Sequence, residues 1–84
     1  MTDDEVYRLI FDYTSKNGYK HVRILSVDHM EYDPIDRVNV EISAVFPDTN
    51  SLGWQLLLIM NGEVIDGKAF HERISEFYPE FADA

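Results

Sequence analysis

The chain has 84 residues, of which 45% are apolar and 13% aromatic, so it can build one small core and is too short for two domains. It contains no cysteine, which excludes a disulfide framework, a thiolate metal site and a thiol nucleophile. Sixteen acidic against seven basic side chains leave a net charge of −9, which repels nucleic acid and anionic lipid. We therefore expect one compact domain over residues 1–84 that binds neither nucleic acid nor membranes directly.

The sequence predicts a cytoplasmic protein with no cofactor. Its first residues are acidic, whereas a secretory signal begins with basic ones, and no apolar run reaches the roughly 18 residues of a membrane span. No glycine-rich loop with the spacing of a phosphate-binding motif is present.

The N-terminal stretch has the pattern of a helix with both ends marked. Thr2 and Glu5 have the spacing of a capping box, in which each side chain satisfies a backbone N–H group at the helix start. Apolar side chains follow at helical spacing, namely Val6, Leu9, Ile10 and Tyr13. The pattern stops at Asn17–Gly18, where glycine can adopt the left-handed conformation that ends helices. A helix over residues 3–16 is predicted.

Two strands are predicted next. From Tyr19 the apolar period changes to two, and a change of face at Leu25 indicates either a strand buried on both sides or a β-bulge. A turn at residues 33–36 leads to the clearest half-buried strand, in which apolar and polar residues alternate. Its apolar members are Val38, Val40, Ile42, Ala44 and Phe46.

The remaining chain predicts a second hairpin and a closing helix. The apolar run Trp54–Met60 suits a central strand with both faces covered, and Asn61–Gly62 signals a tight turn into a short strand at Glu63–Ile65. Phe70, Ile74 and Phe77 then have helical spacing, which ends near Tyr78 because Pro79 follows. The order αββββα predicts an α+β fold. We expect a two-layer sandwich, with an antiparallel meander sheet of three to four strands and two helices on one face.

The negative charge is concentrated in the middle of the chain. Residues 28–66 hold eight acids and one base, whereas residues 1–27 sum to zero. In residues 28–36 four carboxylates are interleaved with Met30, Tyr32 and Ile35, a composition typical of protein interfaces. Carboxylates about 6–7 Å apart also approximate successive phosphates of a nucleic-acid backbone. We predict seven partner-binding residues: Asp28, Glu31, Tyr32, Asp33, Asp36, Glu41 and Asp48.

Two non-enzymatic functions are open at this point. In the first, the protein is an inhibitor that occupies the basic surface of a nuclease or another nucleic-acid-binding protein, as nucleic-acid mimics and immunity-type inhibitors do. In the second, it is an accessory subunit that forms a homodimer or joins a larger assembly through a sheet edge or an aromatic helix face. The opposing interpretation is that the acidic side chains only keep the chain in solution and that residues 28–36 are a solvated turn.

A metal-dependent enzyme is the third alternative. His29, Glu31 and Asp33 alternate in sequence, so in an extended strand they would share one face and could surround a divalent cation. However, such sites usually gather ligands from several segments, and a substrate cavity would take up much of so small a core. We therefore predict no catalytic and no metal-binding residue.

Overall fold

The computed structural model describes residues 1–81, which form a helix, a four-stranded sheet and a short helical C-terminal segment. The elements are α1 (Asp3–Lys16), β1 (Lys20–His29), β2 (Arg37–Phe46), β3 (Ser51–Met60), β4 (Glu63–Asp66), α2 (Gly67–Glu72), α3 (Ile74–Phe77) and a 3₁₀ turn (Pro79–Phe81). The strands pair antiparallel in the order β1-β2-β3-β4. The predicted α+β class, the αββββα order and the meander topology are confirmed. Within residues 1–81, no helix is long and apolar enough to cross a membrane.

Both ends of α1 are closed by the residues that the sequence indicated. The Thr2 side chain accepts a hydrogen bond from the Glu5 N–H, and the Glu5 carboxylate accepts one from the Thr2 N–H, each at 3.3 Å. At the other end the Tyr19 N–H donates to the Thr14 carbonyl at 3.0 Å, and Gly18 takes a φ of +79°. This is the Schellman arrangement, in which glycine adopts the left-handed conformation without a Cβ clash. The predicted helix over residues 3–16 is confirmed.

The helical segments lie on opposite faces of the sheet, so the prediction that both pack on one face is wrong. The cluster around α1 consists of Val6, Ile10, Val38, Val40, Ile42, Leu57 and Ile59. The cluster around the C-terminal helices consists of Leu58, Met60 and Ile65, with Ala69, Phe70, Phe77 and Tyr78 packed against them. Leu58 and Ile59 are neighbours in β3, and neighbours along a strand point to opposite faces. A continuous apolar run therefore needs a cover on each face, and we call these faces the α1 face and the α2 face.

The edge strand β1 contains two irregularities. One extra residue lies between Ile24, which pairs with Ile42, and Ser26, which pairs with Glu41. This is a β-bulge, one of the two interpretations that the sequence left open at Leu25, and it leaves that side chain 54% exposed while Val27 returns to the α1 face. A second irregularity lies between Lys20 and Arg23, where His21 takes a φ of +54°. Bulges of this kind interrupt the ladder of an edge strand and so hinder pairing with a further strand.

Elements near the C-terminus differ from their predicted bounds. β3 begins at Ser51, three residues before the predicted start, and is covered on both faces only from Leu57 to Met60. The predicted closing helix is two short helices, because the backbone of Arg73 leaves the helical conformation between α2 and α3. The Asn61–Gly62 turn is confirmed, with φ values of +52° and +85° that suit a type I′ hairpin.

Candidate functional site

Eight of the fifteen acidic side chains in residues 1–81 lie at one end of the molecule, which we call the acidic end. It combines the start of α1 (Asp3–Glu5), the segment from the end of β1 through the β1–β2 loop (Asp28–Asp36), and Glu63. The His29 Nε2 atom lies 2.8 Å from the Asp3 Oδ1 atom, which joins β1 to α1. The Asn61 N–H donates to the Asp36 carbonyl at 2.8 Å, which joins the β3–β4 turn to the same end.

The β1–β2 loop at this end is folded back on itself. The Glu31 N–H donates to the His29 carbonyl at 3.1 Å, and the Asp33 N–H donates to the Met30 carbonyl at 3.2 Å. The Asp33 Oδ1 atom accepts from the Ile35 N–H at 3.2 Å, an Asx turn across Pro34. β1 ends at His29, so the expectation that residues 29, 31 and 33 alternate on an extended strand is wrong.

Asp33 ties this loop to the C-terminal helices. Its Oδ2 atom accepts a hydrogen bond of 2.5 Å from the Tyr78 hydroxyl and lies 3.5 Å from Nη1 of Arg37. The Arg37 guanidinium also donates to the Asn39 Oδ1 atom at 3.0 Å and to the Tyr78 hydroxyl oxygen at 3.1 Å. Its Cζ atom lies 5.2 Å from the ring centre of Phe70, a cation–π contact. We call Asp33, Arg37 and Tyr78 the loop brace.

The loop brace holds Asp33 as a carboxylate. Burial by itself would raise the pKa of Asp33, because the side chain is only 10% exposed. The hydrogen bonds from Tyr78 and from the Ile35 N–H, together with the positive charge of Arg37, outweigh burial, so the pKa lies below its ordinary value. Burial and the hydrogen bond to Asp33 raise the pKa of the Tyr78 hydroxyl, which therefore stays protonated and donates. Asp33 is thus occupied within the protein.

The other predicted residues of the loop and of the adjoining end of β1 face solvent. Tyr32 is 99% exposed at the tip of the loop, with no neighbour covering its ring. The carboxylates of Asp28, Glu31 and Asp36 are exposed and form no hydrogen bond or ion pair with the described residues. The brace and the Asx turn therefore hold one aromatic ring and the uncompensated carboxylates of Glu31 and Asp36 on a single short loop, next to that of Asp28 at the end of β1.

Two predicted partner-binding residues lie away from this loop. Asp48 is in the β2–β3 loop, and the ten residues of β2 place it roughly 30 Å from Asp36, at about 3.4 Å per residue. Glu41 lies midway along β2 on the α2 face, where its Oε2 atom accepts a hydrogen bond of 3.4 Å from the Trp54 indole. The structure thus brings together Asp28, Glu31, Tyr32, Asp33 and Asp36, and leaves Glu41 and Asp48 outside.

The residues of the metal-enzyme alternative have other partners. His29 contacts Asp3, and Asp33 belongs to the loop brace, so each of these side chains is paired with a group other than Glu31. Among residues 1–81, no group of three or more His, Asp or Glu side chains has an arrangement that could hold a metal ion.

The sequence did not indicate the exposed half of the α2 face. α2 and α3 cover only the end of β3 that contains Leu58 and Met60, so Leu52 is 73% exposed and Trp54 is 60% exposed. Leu25, turned outward by the bulge, is also exposed. The apolar run in β3 predicted burial on both faces. Only the length of the C-terminal helices, six and four residues, shows that they are too short to cover a ten-residue strand.

Comparison of the chain with protein-family models, with curated proteins and with solved structures finds no match in any of the three. The functional conclusion therefore depends on the geometry described above.

Proposed function

We propose that this protein is a small non-enzymatic binding module whose acidic end docks on a basic surface of another protein. The observation that carries the proposal is the β1–β2 loop, where a fully exposed Tyr32 is flanked by carboxylates without internal partners. Charge provides steering toward a positive surface, and a central tyrosine provides the contact area typical of binding hot spots. The chain binds to a basic surface of its partner, and the partner class is nucleic-acid-binding proteins such as nucleases.

The loop brace supports this function because it fixes the loop before a partner arrives. A flexible loop loses conformational entropy on binding, at about 0.5–1.5 kcal/mol for each side chain that becomes ordered. The Asp33 contacts with Tyr78 and Arg37 order the loop backbone already in the free protein. A basic groove that binds phosphates would meet carboxylates held on a loop of fixed shape.

Removing two exposed carboxylates from the loop should weaken partner binding at least tenfold. The variant is Glu31→Gln with Asp36→Asn, two side chains whose carboxylates form no hydrogen bond or ion pair with the described residues, so stability should change little. Binding is measured by calorimetry against a panel of purified nucleases and other basic nucleic-acid-binding proteins, with duplex DNA as competitor. Affinity for the wild type should fall steeply between about 50 and 300 mM salt, because exposed charges are screened beyond about 8–10 Å at physiological ionic strength.

The matched control removes two carboxylates elsewhere. Asp12→Asn with Glu72→Gln gives the same net charge as the loop variant, but changes exposed side chains of α1 and α2. Its affinity should remain within about twofold of the wild type, since rim charges far from a contact act mainly on the association rate. Equal losses in both variants would show that net charge alone attracts the partner. Binding that duplex DNA does not displace would contradict the partner class.

The exposed half of the α2 face favours a second candidate function, self-association as a subunit. Leu52 and Trp54 form an apolar surface on this face of the sheet. Arg23 in β1 and Glu41 in β2 lie beside it, because the strand pairing places both near Trp54. In a twofold contact, Arg23 of one copy could meet Glu41 of the other, because symmetric interfaces pair a surface with itself. An exposed indole and leucine on a flat sheet are the residue types expected at such an interface.

Concentration-dependent burial of Trp54 would reveal this association. The chain has one tryptophan, so indole fluorescence reports only on the α2 face. If the protein self-associates, the emission should shift to shorter wavelength as the concentration rises, and Trp54→Thr should sediment as a monomer where the wild type does not. Tyr32→Ala is the control and should leave sedimentation unchanged. A wild type that remains monomeric at about 100 µM would contradict this candidate, because stable dimers usually bury about 800 Å² per partner and persist at that concentration.

A further inference from the structure

At the end opposite the acidic end, an open cavity of about 480 Å³ lies on the α1 face of the sheet. Its residues come from the end of α1, the α1–β1 connection, the end of β2, the β2–β3 loop, β3 and β4. The lining consists of Tyr13, Asn17, Tyr19, Phe46, Pro47, Asp48, Thr49, Gln55 and Asp66. Its volume lies within the roughly 300–1,000 Å³ range of small-molecule sites.

Three aromatic rings are grouped along this cavity. The ring centres of Tyr13 and Tyr19 are 6.3 Å apart, and those of Tyr19 and Phe46 are 5.3 Å apart in an edge-to-face arrangement. Gly53 makes room for this group, since a Cβ atom there would lie 2.3 Å from Cε2 of Phe46. The Tyr19 hydroxyl donates to Gln55 Oε1 at 2.9 Å, which fixes that ring. Aromatic rings grouped in this way attract cations through the negative charge of their faces.

Two carboxylates complete the cavity. The Asp48 Oδ1 atom accepts from the Thr49 N–H at 3.1 Å, and the Asp66 Oδ1 atom accepts from the Ala69 N–H at 2.7 Å, where it caps α2. Each carboxylate is therefore held by one oxygen, and its second oxygen forms no hydrogen bond with the described residues. None of the nine lining residues is basic, so the negative charge is not neutralised from within the cavity.

The negative charges of these carboxylates affect the pKa values of the two tyrosines. Burial raises the pKa of Tyr13, and the charge of Asp66 adds to that effect. Burial also raises the pKa of Tyr19, and the charges of Asp66 and Asp48 add to that effect. The rings and the carboxylates therefore share one electrostatic environment, in which Asp48 and Asp66 are the charged members of the nine lining residues.

We propose that this cavity binds a guanidinium group, such as the side chain of an arginine residue. A guanidinium is planar and weakly hydrated, so it can stack on an aromatic ring while its N–H groups donate to carboxylate oxygens. An ammonium group lacks the planar face and is more strongly hydrated, which makes it a poorer fit to a ring-lined cavity. The proposal is independent of the acidic end, which lies at the other end of the sheet.

The test uses N-acetyl-L-arginine methylamide as the probe and the neutral citrulline analogue as its isosteric control. Backbone amide chemical shifts are followed during titration of the full chain. The arginine probe should shift resonances of residues around the cavity with an affinity in the millimolar range, as expected for a single side chain in an open site. The citrulline analogue should bind at least tenfold more weakly, because it has the same shape without the charge. A lysine analogue that binds as tightly as the arginine probe would overturn the guanidinium assignment.

Variants of the two carboxylates then distinguish a loss of charge in the cavity from a loss of folding. Asp48→Asn with Asp66→Asn keeps an oxygen for each backbone hydrogen bond, and asparagine is a good helix cap, so the fold should persist. This variant should bind the arginine probe at least tenfold more weakly. If the double variant does not fold, Asp48→Asn alone, a change in an exposed loop, provides a second measurement of the loss of probe binding. Asp4→Asn with Glu72→Gln, outside the cavity, should bind within twofold of the wild type. Equal binding by all variants, or shifts spread over the acidic end, would overturn the proposal.

The same titration tests whether this site is distinct from the proposed partner surface. Glu31→Gln with Asp36→Asn should leave the affinity of the cavity for the arginine probe unchanged, although it weakens partner binding. Loss of probe binding in that variant would show that the probe reports the general negative field, and would contradict a separate guanidinium site.

Discussion

Arg37→Ala should lower the free energy of unfolding by about 3 kcal/mol, the loss expected when one partner is removed from a largely buried charged network. Arg37 is 21% exposed and donates to Asn39 and Tyr78, while Asp33 lies 3.5 Å away. Without the guanidinium, the Asp33 carboxylate keeps its low exposure but loses its compensating charge. The Phe70 ring also loses the group that covers it. Urea unfolding followed by far-UV circular dichroism measures the change.

Arg73→Ala is the matched control for this substitution. Arg73 is also stacked on an aromatic ring, with its Cζ atom 5.0 Å from the centre of Phe77, and it pairs with Glu63 and Glu76 at 2.7 and 3.1 Å. Its side chain is 34% exposed and those of its partners are 55% and 60% exposed, so solvent screens both pairs. Ion pairs of this kind contribute about 0–1 kcal/mol. Equal destabilisation by the two substitutions would show that the loop brace has no special role.

The effect of Arg37 also bears on function, because the loop brace connects the acidic end to the α2 face. Tyr78 belongs to the cluster that covers Leu58 and Met60, and its hydroxyl contacts the loop through Asp33. The same side chains therefore stabilise the C-terminal helices and order the loop that we propose as the partner surface. Loss of the brace should reduce partner affinity even though Arg37 itself is positively charged.

The elements that the sequence predicted well depend on residues close together in the chain. The helix over residues 3–16 follows from a capping box at one end and Gly18 at the other, both within a few residues of the ends they close. The type I′ turn follows from Asn61–Gly62, and the break in the two-residue period at Leu25 already allowed a bulge as one of two interpretations. Short connections then force the strands to run antiparallel, so the meander could also be predicted.

The features that the sequence did not predict depend on distant residues. Asp33 and Tyr78 are separated by 45 positions, and no local pattern indicates that a loop carboxylate will meet a tyrosine near the C-terminus. The apolar run of β3 allowed helices on either face, and only tertiary packing determines that α1 and α2 cover opposite ones. In the same way, counting charges along the chain grouped Asp48 with the acidic segment. The length of β2 separates Asp48 from that segment in the structure. The partner class stays a prediction, since neither the fold nor the comparisons bear on it.

Asp33→Asn should cost about 2 kcal/mol at pH 7, within the range for hydrogen bonds to a charged group, and this difference from the wild type should narrow as the pH falls. The pKa of Asp33 in the folded protein lies below its ordinary value, whereas the unfolded chain has the ordinary value near 3.9. Stability from this carboxylate is therefore fully present above about pH 4 and is lost as the pH falls through the folded-state pKa. Urea midpoints of both proteins between pH 7 and pH 2.5 measure the difference. Asp36→Asn, an exposed carboxylate of the same loop, should track the wild type throughout, and a gap for Asp33→Asn that stays constant down to the lowest pH would contradict the assignment.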